Sequence, residues 1–273
     1  MNQNTSTPRP MPIMAHLVIG YPTLAESVRT AERYIEAGLE ILELQIPFSH
    51  PTADGPVITE ACQEATRQGV SVQDCIEVIR DLHTRFPAQE IMVMSYLNRI
   101  YHYGFQAFVA EMDALGVRNL IVPDLPADLA ASFLGTTSSL VKMVPVLAAN
   151  TSADRLDDLL RSDFDFYYLM SDFKITGGEF SLHPRLQAII QKIKTPGNRQ
   201  QKTPRIGIGF GISTPEQARL VASEVDVAII GSALIQAQKK GKLAEYLESL
   251  QQIFHEKTNQ QQPIHKHAQT QEQ

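Results

Sequence analysis

Apolar and polar positions along this chain change their period again and again. A short apolar run comes first, over residues 14–20, and then a stretch over 24–37 in which apolar residues return every three or four positions. A compact apolar run bounded by turn residues reads as a buried strand, and a 3.6-residue period reads as an amphipathic helix. The alternation continues with strands at 41–48, 90–97, 119–124, 141–147, 164–171, 205–210 and 225–230. Helical patterns follow them at 57–68 and 72–86, 105–115, 127–134, 153–161, 184–194, 215–222 and 243–255. Strands that alternate with helices lie parallel and are joined by crossovers. Eight such units across residues 14–255 predict an α/β fold of one domain, a (β/α)8 TIM barrel. An open doubly wound sheet is the alternative, but the first strand-to-helix turn carries no G-x-G-x-x-G to favour it. The barrel is expected over residues 13–256, behind a flexible segment at 1–12 and ahead of a disordered Gln/His-rich tail at 257–273.

Composition narrows the function. With 273 residues and 43% hydrophobic content, the chain can bury a core without a disulfide or a metal. Its net charge of −6 argues against nucleic acid or an anionic membrane as a partner. Cys62 and Cys75 form no C-x-x-C pair and read as reduced helix residues. The start of the chain lacks the basic-then-apolar order of a secretory signal, and no apolar run approaches a membrane span. A cytoplasmic protein is expected. His265 and His267 in the tail could bind a metal weakly in solution, but no metal site is expected.

Candidate chemistry begins in the second strand, Ile41-Leu42-Glu43-Leu44-Gln45-Ile46. Successive side chains on a strand point to opposite faces. Leu42, Leu44 and Ile46 then face the helices, while Ile41, Glu43 and Gln45 face inward. A carboxylate inside a barrel must be paired, hydrogen-bonded or protonated, and Glu43 is therefore a candidate catalytic group or a structurally satisfied acid. The loop after this strand runs Pro47-Phe48-Ser49-His50-Pro51-Thr52-Ala53-Asp54-Gly55-Pro56. It lies at the strand's C-terminal end, where barrel active sites are built. Asp54 taken alone reads as the N-cap of the helix that starts near Pro56. Read together with Glu43, it becomes a second candidate catalytic group.

Three late loops carry small residues at strand ends: Thr176-Gly177-Gly178, Gly209-Phe210-Gly211-Ile212-Ser213 and Gly231-Ser232-Ala233. Glycine lets backbone N–H groups approach an anion, and a helix N-terminus favours one. A phosphate is expected near Gly177, Gly211 and Gly231, with the Ser232 hydroxyl as a further donor.

These residues resemble the tryptophan synthase alpha subunit family, whose strand-two signature is close to L-E-[LI]-G-[IV]-P-F-S-D-P-x-A-D-G-P. The match includes the Gly209–Ser213 and Gly231–Ala233 runs, Tyr96 and Asn98, Asp124-Leu125-Pro126, and Tyr168, and extends over about residues 14–254. The resemblance implies a lyase that cleaves indole-3-glycerol phosphate to indole and glyceraldehyde 3-phosphate in tryptophan biosynthesis, with no cofactor of its own. It implies Glu43 as the acid–base residue and Asp54 as the partner of the indole N–H. It places Tyr168, Thr176, Gly177, Phe210, Gly211, Gly231 and Ser232 around the substrate. A pyridoxal phosphate-bearing beta subunit is the implied partner, in a heterotetramer.

The chain departs from the family at several of these places. His16 stands where the family usually has an aromatic ring, and Gln45 replaces a glycine, so that His16, Gln45 and Tyr96 are expected to shape an altered ring pocket. Tyr21 replaces an aspartate. His50 and Arg99 change the charge on the face expected to meet the beta subunit. Asp172 and Lys174 alter a loop expected to close over substrate. Two further readings stay open: an alpha-like barrel that serves as a binding module, and a lyase or isomerase for another phosphorylated substrate.

Overall fold

The structure is a computed structural model that describes residues 11–127, 129–130, 140–170, 174–176, 179–195, 203–209 and 211–255. Within them the chain runs β1 (Met11–Val18), α1 (Leu24–Glu36), β2 (Leu39–Gln45), α2 (Pro56–Arg67), α3 (Val72–Arg85), β3 (Glu90–Met94), α4 (Leu97–Tyr103), α5 (Phe105–Ala114) and β4 (Asn119–Ile121). It continues through β5 (Lys142–Met143), β6 (Val146–Ala148), α6 (Ala153–Leu160), β7 (Phe166–Met170), β8 (Lys174–Thr176), β9 (Glu179–Ser181) and α7 (Pro184–Lys194). The last elements are β10 (Arg205–Gly209), α8 (Pro215–Glu224), β11 (Val227–Ile230), α9 (Ser232–Lys239) and α10 (Leu243–His255).

The main sheet has the order β5-β4-β3-β2-β1-β11-β10-β7-β6, and its pairs are parallel. Its two ends, β5 and β6, are separated only by Val144-Pro145, so they are two parts of one strand. Proline has no N–H to give to a ladder, which breaks the strand there. The flanking groups carry the pairing past the break: Val144 N–H donates to Leu120 O at 2.9 Å, and Tyr168 N–H to Pro145 O at 3.0 Å. The sheet thus closes on itself, and the expected eight-stranded TIM barrel is the fold.

Closure gives every strand an inside and an outside. Met14, Ile41, Met92, Met94, Ile121, Val144, Phe166, Val227 and Ile229 form one buried cluster within the barrel. Their sequence neighbours Ala15, Leu42, Val93, Leu120 and Ala228 pack outward with Ala31, Ile76, Ile79 and Val221 of the helices. The alternation expected of β2 is therefore the one observed. Gly207 is needed for the inner packing, because a Cβ there would stand 2.5 Å from Phe166 Cζ. Both cysteines are free and buried, Cys62 in α2 and Cys75 in α3.

Arg205, first residue of β10, reaches Glu40 of β2 at 3.1 Å and also pairs with Glu90 of β3. Neither strand neighbours β10, so this contact spans the N-terminal mouth of the barrel. Burial raises the Glu40 carboxyl above its ordinary range, against the pull of Arg205. Arg205→Ala would leave two half-buried carboxylates with no cation between them. We expect it to lower stability by about 2 kcal/mol, less than for a fully buried pair, and to lower Tm by roughly 5 °C. The loss should shrink as the pH falls through the raised Glu40 range; an unchanged Tm at neutral pH would show the cluster to be idle.

Four local features differ from the pattern. β1 starts at Met11, inside the stretch whose composition predicts a flexible segment, because Met11 N–H bonds to Gly38 O at 2.9 Å. Residues 97–103 form a helix too short and aromatic to display a period. β8 and β9 make an antiparallel hairpin within a stretch that reads as loop. The short helix α9 follows β11 directly. Residues 1–10 and 257–273, and most of the helix expected over 127–134, lie outside the described residues.

Candidate active site

The C-terminal ends of the strands surround a cavity of about 250 Å³. His16 of β1, Glu43 of β2, Asp54 of the β2–α2 loop and Tyr168 of β7 line one part of it; Gly211, Gly231 and Ser232 line another. Apolar walls come from Ile58, Met94, Ile121, Met170 and Ile229.

Parallel register sets His16 beside Glu43. Both are buried, at 3% and 1% exposure, so their mutual distance matters more than solvent does. His16 Nδ1 lies 3.2 Å from Glu43 Oε2, close enough for an ion pair. The approach is off the line a hydrogen bond requires, and Oε2 has no aligned donor among the described residues. On its other side, His16 Nε2 is 2.9 Å from Gln45 Oε1. Gln45 Nε2 donates to Asp54 Oδ2 at 2.7 Å, and Tyr96 OH donates to the same oxygen at 2.9 Å. Ala53 N–H donates in turn to the Tyr96 oxygen at 3.0 Å.

This corrects two expectations. Asp54 is not a helix cap: the N-cap of α2 is Gly55, with no side-chain cap bond and Pro56 next in line. The Asp54 carboxylate is instead turned inward by the Gln45 amide and the Tyr96 hydroxyl. Gln45 and Tyr96 do not line the cavity as ring-pocket residues; both are fully buried and stand behind Asp54. Tyr96 is held there by Phe48, whose ring stacks on it at 5.3 Å. Of the three expected pocket residues, His16 alone borders the cavity.

The electrostatics follow from burial and neighbours. Burial raises the Asp54 carboxyl above its ordinary range, outweighing His16, Gln45 and Tyr96. Burial would make His16 less basic, but the combined pull of Glu43, Asp54 and the Gln45 carbonyl raises it instead. Burial, followed by the Glu43 and Asp54 charges, keeps Tyr168 a neutral phenol. Gly209 makes room for that phenol, since a Cβ there would stand 2.7 Å from Tyr168 Oη.

Two helix N-termini approach the cavity and differ in one respect. That of α8 is closed by its own capping box of Thr214 and Gln217, and Gln217 also occupies the Ser213 amide and hydroxyl. That of α9 begins at Gly231 with no side-chain cap. The first residues of α9, Ser232 and Ala233, therefore line the cavity with no side chain capping their amides, beside Gly211, which adopts φ +83. Among the described residues, no lysine or arginine lines this hollow. Thr176 ends β8, while Gly177, Phe210 and Asp172 lie outside the described residues. Ile58 and Ser213 line the cavity as well. Ser213 is legible along the chain, since it closes the Gly209–Ser213 run; Ile58 enters only through the docking of α2. His50 is exposed on the rim, with Nδ1 2.8 Å from Ser49 Oγ.

Known proteins resemble this chain in sequence and fold. The family described as Tryptophan synthase alpha chain matches residues 3–269. The tryptophan synthase alpha chain of Synechocystis sp. is 32% identical over 246 residues, covering 89% of this chain and 91% of that one. That of Trichormus variabilis is 33% identical over 240 residues, covering 87% and 88%. Among solved structures, Mycobacterium tuberculosis tryptophan synthase superposes with a TM-score of 0.77 at 27% identity, covering 90% of this chain and 92% of that one. With a closed barrel, two carboxylates at one cavity and relatives of this similarity along almost its whole length, the chain belongs to the tryptophan synthase alpha chain family.

Proposed function

We propose that the cavity cleaves indole-3-glycerol phosphate by a reverse aldol reaction, releasing indole and glyceraldehyde 3-phosphate. The observation that carries this reading is the placing of Glu43 and Asp54 on one cavity that also receives the uncapped N-terminus of α9. Breaking the bond between indole and its side chain needs a proton on the ring carbon and charge stabilisation at the ring nitrogen. Glu43 delivers that proton. Asp54, anchored from behind by Gln45 and Tyr96, accepts the indole N–H and offsets the positive charge that develops as the ring is protonated. Glu43 then takes the proton of the side-chain hydroxyl as that oxygen becomes a carbonyl. The steps are proton transfers and one carbon–carbon cleavage, so the chemistry calls for no cofactor.

Tyr168 borders the reacting part of the substrate as a neutral donor. The phosphate lies at Gly211, Gly231 and Ser232, and the resemblance in sequence adds Thr176, Gly177 and Phe210 to the residues that would meet it. The α9 amides and its dipole stabilise the anion in place of a cationic side chain. Inorganic phosphate should then slow hydrogen exchange at the amides of residues 231–233 and leave those of α8, already capped, unchanged. Equal protection at both helices, or none, would remove the phosphate site from this reading.

The indole product passes to a pyridoxal phosphate-bearing beta subunit in a heterotetramer, and a cytoplasmic location belongs to the same reading. Among the described residues, no helix is long and apolar enough to cross a membrane. A binding module without turnover is not favoured, because it gives no use to two carboxylates held at one cavity. The deciding assay is indole release from indole-3-glycerol phosphate by the purified protein, alone and with its beta subunit. Absence of indole in both would overturn the proposal.

A further inference from the structure

Between the two carboxylates lies a row of polar groups that the chemistry above leaves without a task. Its hydrogens can be placed one at a time. Because Ala53 N–H donates to the Tyr96 oxygen, the Tyr96 hydrogen is free to go to Asp54 Oδ2. Gln45 Nε2 donates to that same oxygen at 2.7 Å, which turns Gln45 Oε1 toward His16. An amide oxygen only accepts, so His16 Nε2, 2.9 Å away, carries a hydrogen. That leaves His16 Nδ1 3.2 Å from Glu43 Oε2, in ion-pair range but off the line of a hydrogen bond. A neutral ring would set a lone pair beside a carboxylate, with both side chains buried. One proton, on either atom, removes the conflict. Turning the Gln45 amide over would set its oxygen against Asp54 and move the demand for a proton there.

We propose that His16 and Glu43 share one proton in the resting site, with Gln45 fixing the His16 tautomer from Asp54, and that His16 is the positioning residue that holds Glu43 ready to act as an acid. The inference rests on the lyase reading for its use and on the hydrogen-bond geometry for its existence. His16 meets Glu43 from β2 and Asp54 from the β2–α2 loop. Tyr96 and Tyr168 are neutral phenols, and Cys62 beneath Asp54 is pushed up to about 12 by burial, so it is a neutral thiol. From the β11–α9 side, the neighbour is Gly231, which has nothing to ionise. The two carboxylates therefore set the charge on the ring.

The proton count closes over a turnover. Once a small turn of the ring lines up His16 Nδ1 with Glu43 Oε2, the N–H bond breaks as an O–H forms on Glu43, and that O–H breaks as the C–H bond forms on the ring carbon. The substrate hydroxyl then loses its proton to Glu43 as its oxygen becomes a carbonyl, and the pair is left with one proton again.

Nitrogen-15 NMR of the histidine rings in the ligand-free full-length protein tests the shared proton without any substrate. His16 should carry a hydrogen on Nε2 across the neutral range. Its second proton should either persist to higher pH than in the other histidines or appear as a carboxylic acid band in the infrared that Glu43→Gln removes. A neutral ring with its hydrogen on Nδ1 alone, or the absence of both signatures, would overturn the proposal. In turnover, His16→Phe should lower kcat roughly tenfold with little change in KM and move the alkaline limb of the pH profile toward acid. Gln45→Leu, which leaves both carboxylates and His16 in place, should move the same limb by less. An unchanged or raised kcat in His16→Phe would overturn the role. If the wild-type protein releases no indole, the lyase reading fails, while the NMR result still decides the shared proton.

Discussion

Glu43→Gln should give a folded protein that releases indole at least ~100-fold more slowly, the usual scale for losing a positioned general acid or base. The amide has the same shape and fits the same slot on β2, beside His16 and against the inner apolar cluster. It can neither deliver a proton to the ring carbon nor take one from the hydroxyl. Both transfers fall to one group, so the loss should appear in kcat, with KM changing far less. Stability should fall modestly at most: the amide keeps the shape and the backbone register, but the pairing of the buried carboxylate with His16 at 3.2 Å is lost. Thermal denaturation beside steady-state kinetics checks both halves. A Glu43→Gln protein with wild-type kcat would move the acid–base role elsewhere in the cavity.

Asp54→Asn should also lower kcat by on the order of 10²-fold, the scale for removing one electrostatic stabiliser of a transition state. Helix α2 gives no competing explanation, because its N-cap is Gly55 and Asp54 makes no cap bond to lose. The asparagine oxygen can still accept from Gln45 and Tyr96, so the loop keeps its anchor. What disappears is the negative charge opposite the protonated indole. The wild-type protein should show the same dependence on pH. Burial raises the Asp54 carboxyl, so the active carboxylate forms only above the ordinary aspartate range, and activity falls as the pH drops through that raised value. Asp54→Asn should abolish this acid limb while lowering the plateau. Retention of the limb would assign it to another group.

Much of this protein could be read along the chain. The inward direction of Glu43 followed from a period of two, which is a property of the strand itself, and the structure places Leu42 and Leu44 outward and Ile41 inward as that period requires. The barrel followed from the repeated change of period, because crossover helices force parallel strands. The short helix α4 was not legible, since seven residues hold too few turns for periodicity to show. The role of Asp54 was ambiguous for a different reason. An aspartate ahead of Gly-Pro satisfies the local rule for a cap, and nothing nearby in sequence reveals the Tyr96 hydroxyl 42 positions away.

The sequence by itself determined the alternation of elements and the side of β2 that faces the interior. These depend on interactions within a few residues. The tertiary structure alone decided that His16, Gln45, Asp54 and Tyr96 form one hydrogen-bonded row with Glu43 at its end. That row crosses from β1 to β2, out to a loop and back to the start of α4, over separations of 29, 9 and 42 residues. A hydrogen bond tolerates only a few tenths of an ångström in length. Closure of the barrel and the parallel register of its strands set such distances, and neither is written in any single segment.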